Sequence, residues 1–330
     1  MNTTSTSRKD HALSQSMYQA VLLATGILLS GCASSQMYRS PEHEAKIISI
    51  YDSKLAQWPV PFDTLRVPTR FGTTHVTVSG GKDKPPLVLL HAMGVTSMMW
   101  KDNIESLSRH FRTYAVDGLG DIGKSRLYDT DESLDDADRV QEWLNELLDS
   151  LGIQKACFAG ASLGGWSAMH YAAREPNRVA KLALLGPMGI ASVSLKVVWR
   201  ILSLVWFPTE SKKRDMIEWA LSTNRRTRET FSEHMWVAMD CRGFLPTPWE
   251  LSDEELMQIK APTLLLLGER DEVIGSAAEA KERAEAFIPN ARVKIITEAG
   301  HMMNTDLPDS VNAVLVKFLT EDSSLNALMR

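Results

Sequence analysis

Cysteine is scarce in this chain, with three residues in 330, at positions 32, 157 and 241. No Cys, His or carboxylate cluster has the spacing of a metal site, so no metal is expected. There is no Gly-x-Gly-x-x-Gly and no phosphate loop, which removes the usual signs of a bound nucleotide and leaves no cofactor in view. Basic charge is also short: 36 Lys and Arg stand against 41 Asp and Glu, a net charge of -5. With no basic stripe, nucleic acid is not an expected partner. No internal repeat is visible. The apolar run at residues 20–29, interrupted only by Thr25 and Gly26, is too short to span a bilayer comfortably.

Apolar residues make up 44% of the chain, enough for a large core, and the length suits one α/β domain with an insertion. Gly160-Ala161-Ser162-Leu163-Gly164 fits the nucleophile-elbow pattern Gly-x-Ser-x-Gly. Residues 155–159 before it read as a short buried strand, and residues 165–174 after it as an Ala-rich helix. A Ser on so tight a turn stands clear of the sheet, where a base can reach its Oγ. The elbow predicts an acid and then a His, each after a later strand. Residues 262–268 form a continuous apolar run, as in a parallel strand buried on both faces. Asp271 follows it, with Glu269 and Glu272 as neighbouring competitors. A helix (276–287), a strand (291–297) and a loop ending in His301 come next, with a helix near Asp306. Of eight His, only His301 follows the last strand.

The chemistry assigns the roles. A Ser hydroxyl needs a base within reach, so His301 would take the Ser162 proton. Asp271 would hold the imidazole in one tautomer and stabilise its charged form. The oxyanion needs fixed donors. One is the N–H of Leu163, the residue after the nucleophile. The other comes from the loop His91-Ala92-Met93-Gly94 after the strand 86–90, with Met93 assigned and Ala92 its nearest competitor.

On these signals, together with Asp117 to Ser125 and Gly300-His301, residues 62–319 resemble the α/β-hydrolase superfamily and, within it, bacterial carboxylesterases. The resemblance implies a mostly parallel twisted sheet flanked by helices. It also implies that the insertion 188–260 forms a helical cap supplying an apolar pocket. Five of the nine Trp lie there and are expected to pack the cap onto the core. The cap's Lys212, Lys213, Arg214, Arg225, Arg226 and Arg228 read as a solvated face. One departure is that Ala92 replaces the first Gly of His-Gly-x-Gly, and Ala tolerates a positive φ poorly. The resemblance implies cleavage of small carboxylic esters through an acyl-enzyme; lactones, thioesters and amides remain alternatives, as does a non-enzymatic binding module. Relatives with an Asp nucleophile are set aside by Ser162.

Helices are also expected at 98–108 and at 133–151, the latter capped by Ser133 with Asp136 three residues on. The acidic residues Asp129, Asp131, Glu132, Asp135, Asp136 and Asp138 read as charges favoured at that helix N-terminus. At the start of the chain Arg8 and Lys9, the apolar run and Leu29-Ser30-Gly31-Cys32 resemble a bacterial lipoprotein signal peptide (1–31), with Cys32 lipidated. Ala33 in place of Asp implies the outer membrane; the periplasmic side is the expected one, with the exterior left open. Residues 32–61 are then a tether, polar to about Pro41, and an N-terminal segment. The core comprises 62–187 and 261–330. Cys157 and Cys241 read as buried free thiols, although export would permit a disulfide. The expected partners are an ester substrate and, through the lipid, a membrane; oligomeric state is left open.

Overall fold

Apolar runs of strand length alternate with amphipathic stretches, and the chain folds as that alternation requires. The computed structural model describes residues 37–128, 134, 136–191, 195–221, 224–241 and 248–321. The strands are β1 (Phe62–Thr69), β2 (Gly72–Ser79), β3 (Pro86–Leu90), β4 (Arg112–Val116), β5 (Arg126–Leu127), β6 (Ala156–Ala161), β7 (Val179–Leu185), β8 (Thr263–Gly268) and β9 (Ala291–Ile296). They form one sheet in the order β1-β2-β4-β3-β6-β7-β8-β9, with β5 paired to β2. β1, β2 and β4 pair antiparallel, and every pair from β4 to β9 is parallel.

Helices cover both faces of the parallel part, and the side chains alternate accordingly. Leu87 and Leu89 of β3, with Leu264 and Leu266 of β8, enter one apolar cluster. Val88, Leu90, Leu265 and Leu267 enter the other. Each such side chain contributes about 1.5–3 kcal/mol by leaving water. Burial on both faces is why these strands read as unbroken apolar runs. The first cluster is closed by α1 (Pro41–Leu55), α2 (Lys101–Ser108) and α11 (Pro308–Thr320). The second is closed by α3 (Ala137–Ser150), α4 (Leu163–Arg174), α8 (Asp253–Gln258) and α9 (Ala277–Phe287). This is the mostly parallel, helix-flanked sheet that the sequence implied.

Helix α1 lies within the stretch expected to be tether and N-terminal segment. Ser40 caps it by accepting from the His43 N–H at 3.2 Å, and Pro41 opens it. Ile47, Tyr51 and Leu55, four residues apart, form its buried stripe. Met37 and Tyr38 are buried as well, so the stretch from residue 37 to Pro41 is not the free tether expected there. Cys32, Ala33 and the rest of the signal-like segment lie outside the described residues.

Three other boundaries differ from expectation. The helix expected from Ser133 starts at Ala137, because Asp136 is itself the cap and accepts from the Arg139 N–H at 2.9 Å. Ser133, Asp129, Asp131, Glu132 and Asp135 lie outside the described residues. The helix expected over 98–108 is a 3-10 turn, Ser97–Trp100, followed by α2. Residues 188–260 contain α5 (Leu195–Trp206), α6 (Glu210–Ala220), α7 (Arg225–Ala238) and α8. Of the Trp residues of this stretch, Trp236 packs against the core as expected, whereas Trp199, Trp206 and Trp249 do not. Trp199, Trp206 and Trp249 are 67%, 47% and 40% exposed; on α5, Val197 and Leu202 are turned inward in place of Trp199 and Trp206. A short helix, α10 (Met303–Asp306), precedes α11. No described helix is long and apolar enough to cross a membrane.

Candidate active site

β6 is buried along its whole length and ends at Ala161, so Ser162 stands at the mouth of the sheet. The chain reverses there with Ser162 at φ 51° and ψ -116°. A non-Gly residue so placed stores about 1–3 kcal/mol of strain. Surrounding hydrogen bonds hold it. The Ser162 N–H donates to the Leu185 carbonyl at 3.0 Å, and its own carbonyl accepts from Trp166 and Met188 at 3.0 and 3.1 Å. The flanking glycines are required by contact. A Cβ at Gly160 would stand 2.4 Å from the Gly164 carbonyl oxygen, and one at Gly164 would stand 2.5 Å from that of Leu90. The Ser162 hydroxyl caps nothing in α4.

Asp271 and His301 arrive on the loops after β8 and β9. Asp271 Oδ2 lies 2.9 Å from His301 Nδ1. Oδ1 accepts the Val273 N–H at 2.9 Å, which fixes the carboxylate. An ionised carboxylate facing Nδ1 puts the proton on that nitrogen and leaves Nε2 as the basic one. Glu269 is exposed and accepts the Glu298 N–H, and Glu272 is exposed. Neither faces His301.

Gly186 joins these parts and was missed in the sequence. It follows Leu185, which holds the Ser162 N–H. A Cβ on it would come within 2.8 Å of Asp271 Oδ2 and 3.4 Å of His301 Nδ1. Its φ is +47°. The only hint in the sequence was a Gly-Pro pair ending a strand. The structure therefore brings Asp271 against His301 and links Ser162 to them through Leu185 and Gly186. No hydrogen bond joins Ser162 to His301 among the described residues, and such bonds are often long before substrate binds.

The loop carrying the predicted oxyanion donors is braced from below. His91 Nε2 accepts the Gly118 N–H at 2.8 Å, so Nδ1 carries the proton and donates to the Ala92 carbonyl at 2.7 Å. The Gly94 N–H donates to Asp121 at 2.9 Å. Burial raises the Asp121 carboxyl above its ordinary range, against the pull of His91 and two backbone N–H groups. Ala92 needs no positive φ, since Gly94 (+75°) and Thr96 (+63°) take the turn. The Ala92 N–H points at Met99 Sδ, 3.1 Å away. The N–H of the 49% exposed Met93 makes no hydrogen bond among the described residues. Leu163 opens α4, where the first N–H groups have no intrahelical partner.

A second Asp–His pair lies deeper. Asp117, at the end of β4, has Oδ2 3.2 Å from His75 Nδ1. It also accepts from the Ser97 hydroxyl and N–H, the Lys124 N–H and the Tyr51 hydroxyl of α1. Burial works to raise this carboxyl, but hydrogen bonding and charge from His75, with help from His91 and Ser97, hold it at about 2.

Among the described residues no group of three or more His, Cys, Asp or Glu could hold a metal ion. Cys157 is buried, whereas Cys241 is only half-buried because it lies at the open end of α7. Both are free thiols, pushed up to about 12 chiefly by burial.

Residues 87–314 match the model of the alpha/beta hydrolase family. The chain belongs to that family. Carboxylesterase YbfK of Bacillus subtilis (strain 168) is 31% identical over 293 residues, which are 86% of this chain and 97% of that protein. The uncharacterized carboxylesterase nap of the same organism is 32% identical over 305 residues, 89% and 98% of the two chains. The crystal structure of carboxylesterase CesB (YbfK) superposes with a TM-score of 0.79 at 30% identity, covering 86% of this chain and 100% of that one. That of naproxen esterase from the same species gives 0.77 at 31%, with 86% and 100% covered. As a member of the alpha/beta hydrolase family, the chain is an enzyme of the hydrolase class.

Proposed function

We propose that this alpha/beta hydrolase is a serine carboxylesterase whose working residues are Ser162, Asp271 and His301. The observation that carries the reading is the buried Asp271–His301 pair, 2.9 Å apart, set against Gly186, whose chain neighbour Leu185 accepts the Ser162 N–H. The likeness to carboxylesterases over nearly their whole length supports it. Ser162 Oγ bonds to the ester carbonyl carbon as its proton passes to His301 Nε2. The N–H groups of Leu163 and Met93 hold the oxyanion. Collapse breaks the bond to the alcohol, which leaves with the proton from His301. Water then repeats the sequence and frees the acid. Hydrolysis of p-nitrophenyl esters of graded acyl length, with Ser162→Ala alongside, tests this. Turnover should fall by about 10⁶-fold in the variant; equal turnover in both proteins overturns the assignment.

We also infer that the chain is exported and held by a lipid on Cys32 at the periplasmic face of the outer membrane. The basic flank, the apolar run and Leu29-Ser30-Gly31-Cys32 support this. Met37 and Tyr38 pack beside Ile122 and Val237, so a lipid upstream would tether the molecule next to α7. Cys32→Ser should move the protein out of the membrane fraction or block its processing; unchanged partitioning overturns the anchor.

A further inference from the structure

Buried polar groups without partners are rare because each costs about 1–3 kcal/mol. Seven such side-chain atoms occur among the described residues, and five belong to one junction. They are Lys54 Nζ on α1, Trp100 Nε1 in the 3-10 turn, both ring nitrogens of His234 on α7, and Thr305 Oγ1 on α10. These four elements pack on one another. Trp100, His234 and Thr305 are each no more than 1% exposed.

The junction lies beside the proposed catalytic residues. Thr305 and Trp100 sit on the segments that follow His301 and the oxyanion loop. Helix α7 is tied to the His301 loop at one end, where Thr227 donates to Asp306 and Asp306 accepts the Gly300 N–H. At its other end Val237 packs with Tyr38 and Ile122. Between them Phe231 and His234 are buried. The Lys54 ammonium stands 4.3 Å over the Phe231 ring. The charges of Lys54 and Asp117 act on His234.

What the junction offers is mostly donors. An ammonium gives three, an indole one and a hydroxyl one, while a neutral imidazole gives one and accepts one. Burial lowers the Lys54 amine to about 8, and Lys101 adds to the effect. The opposing charge that acts on it is the exposed Glu233, which pairs with Lys46 at 3.5 Å. Burial also lowers His234 to about 3, so its ring is neutral at ordinary pH. A donor-rich, desolvated site with one uncompensated positive charge suits an acceptor with one negative charge. That is a carboxylate; a phosphate monoester would bring a further charge with nothing to meet it.

We propose that Lys54, Trp100, His234 and Thr305 form a subsite for a carboxylate carried by the substrate. The esterase would then favour half-esters of dicarboxylic acids over neutral esters of the same length. This rests on the esterase reading above.

The test uses the full chain. Values of kcat/KM are compared for the monomethyl esters of glutarate, adipate and suberate and for methyl pentanoate, hexanoate and octanoate. The wild type should favour the monoanions, and Lys54→Met should cut that selectivity ratio by about tenfold or more. His234→Phe, which keeps the ammonium, should give a smaller cut. Independently of turnover, monomethyl adipate should raise the melting temperature of Ser162→Ala and fail to do so in Ser162→Ala/Lys54→Met. Equal kcat/KM for the two ester series in the wild type overturns the subsite, as does selectivity retained in Lys54→Met. If no ester is hydrolysed, the esterase reading fails by itself. The melting shift then decides the subsite, and a shift equal with and without Lys54 overturns it.

Discussion

Two Asp–His pairs among the described residues, His75–Asp117 and His301–Asp271, each have a serine nearby, and they are built to opposite ends. In the inner pair, Ser97 donates its hydroxyl straight to Asp117, so its proton is already committed to the carboxylate. Tyr51, Lys124 and His75 complete the ring around that carboxylate. In the outer pair, Asp271 spends its oxygens on His301 and on the Val273 N–H, and the Ser162 hydroxyl is left out of the set. A saturated cluster locks elements together; an incomplete one is ready to take a reacting group. Residue types and strand position alone do not separate the two, whereas the direction of the serine hydroxyl does.

Three perturbations sharpen or break this comparison. The largest effect should come from Asp271→Asn, which keeps the shape but loses the charge and the correct tautomer. We expect kcat to fall by about 10⁴-fold with little change in melting temperature. Asp117→Asn should do the reverse. An amide cannot accept from all the donors converging there, so unfolding by denaturant should show a loss of about 3 kcal/mol or more. The folded fraction should lose far less activity than Asp271→Asn. If the two variants exchange behaviours, the roles assigned to the pairs are wrong.

The smallest effect is a pH dependence. His234 and His170 are held at about 3 and about 4, mainly by burial, below the ordinary value of 6.5. In that window the unfolded chain binds more protons than the fold, so stability should fall as pH drops from 6.5 toward 4. Asp117, at about 2 against an ordinary 3.8, adds a further loss below pH 4. Denaturation midpoints across pH should show a shallower acid slope in His234→Phe; an unchanged slope would mean that this ring is not neutral in the fold.

Local signals made much of the architecture legible. The elbow, the apolar runs of β3 and β8, and the offset of Asp271 beyond β8 are properties of a few neighbouring residues, and the structure has them where expected. The parts that escaped depend on distant partners. Helix α1 has only a narrow buried stripe in a mostly polar stretch, and that stripe becomes a pattern only once Tyr51 has Asp117 to meet. Gly186 matters through a contact with a residue 85 positions on. Trp199 and Trp206 carry the chemistry of a core and lie outside it, with Val197 and Leu202 turned inward on α5 in their place. The N-cap at Asp136 was misplaced because Ser and Asp cap equally well.

The docking of α1 and β2 bears on where such a gene can be cut. The family match starts at residue 87, inside β3, after Tyr51 and His75. A chain trimmed to the matched length would strip β2 from β4 and leave an open strand edge ready to pair with a neighbour. Asp117 would keep its charge and lose the imidazole set against it. The segment matched by the family model is therefore smaller than the segment that folds, and an inactive fragment of that length would say nothing about catalysis.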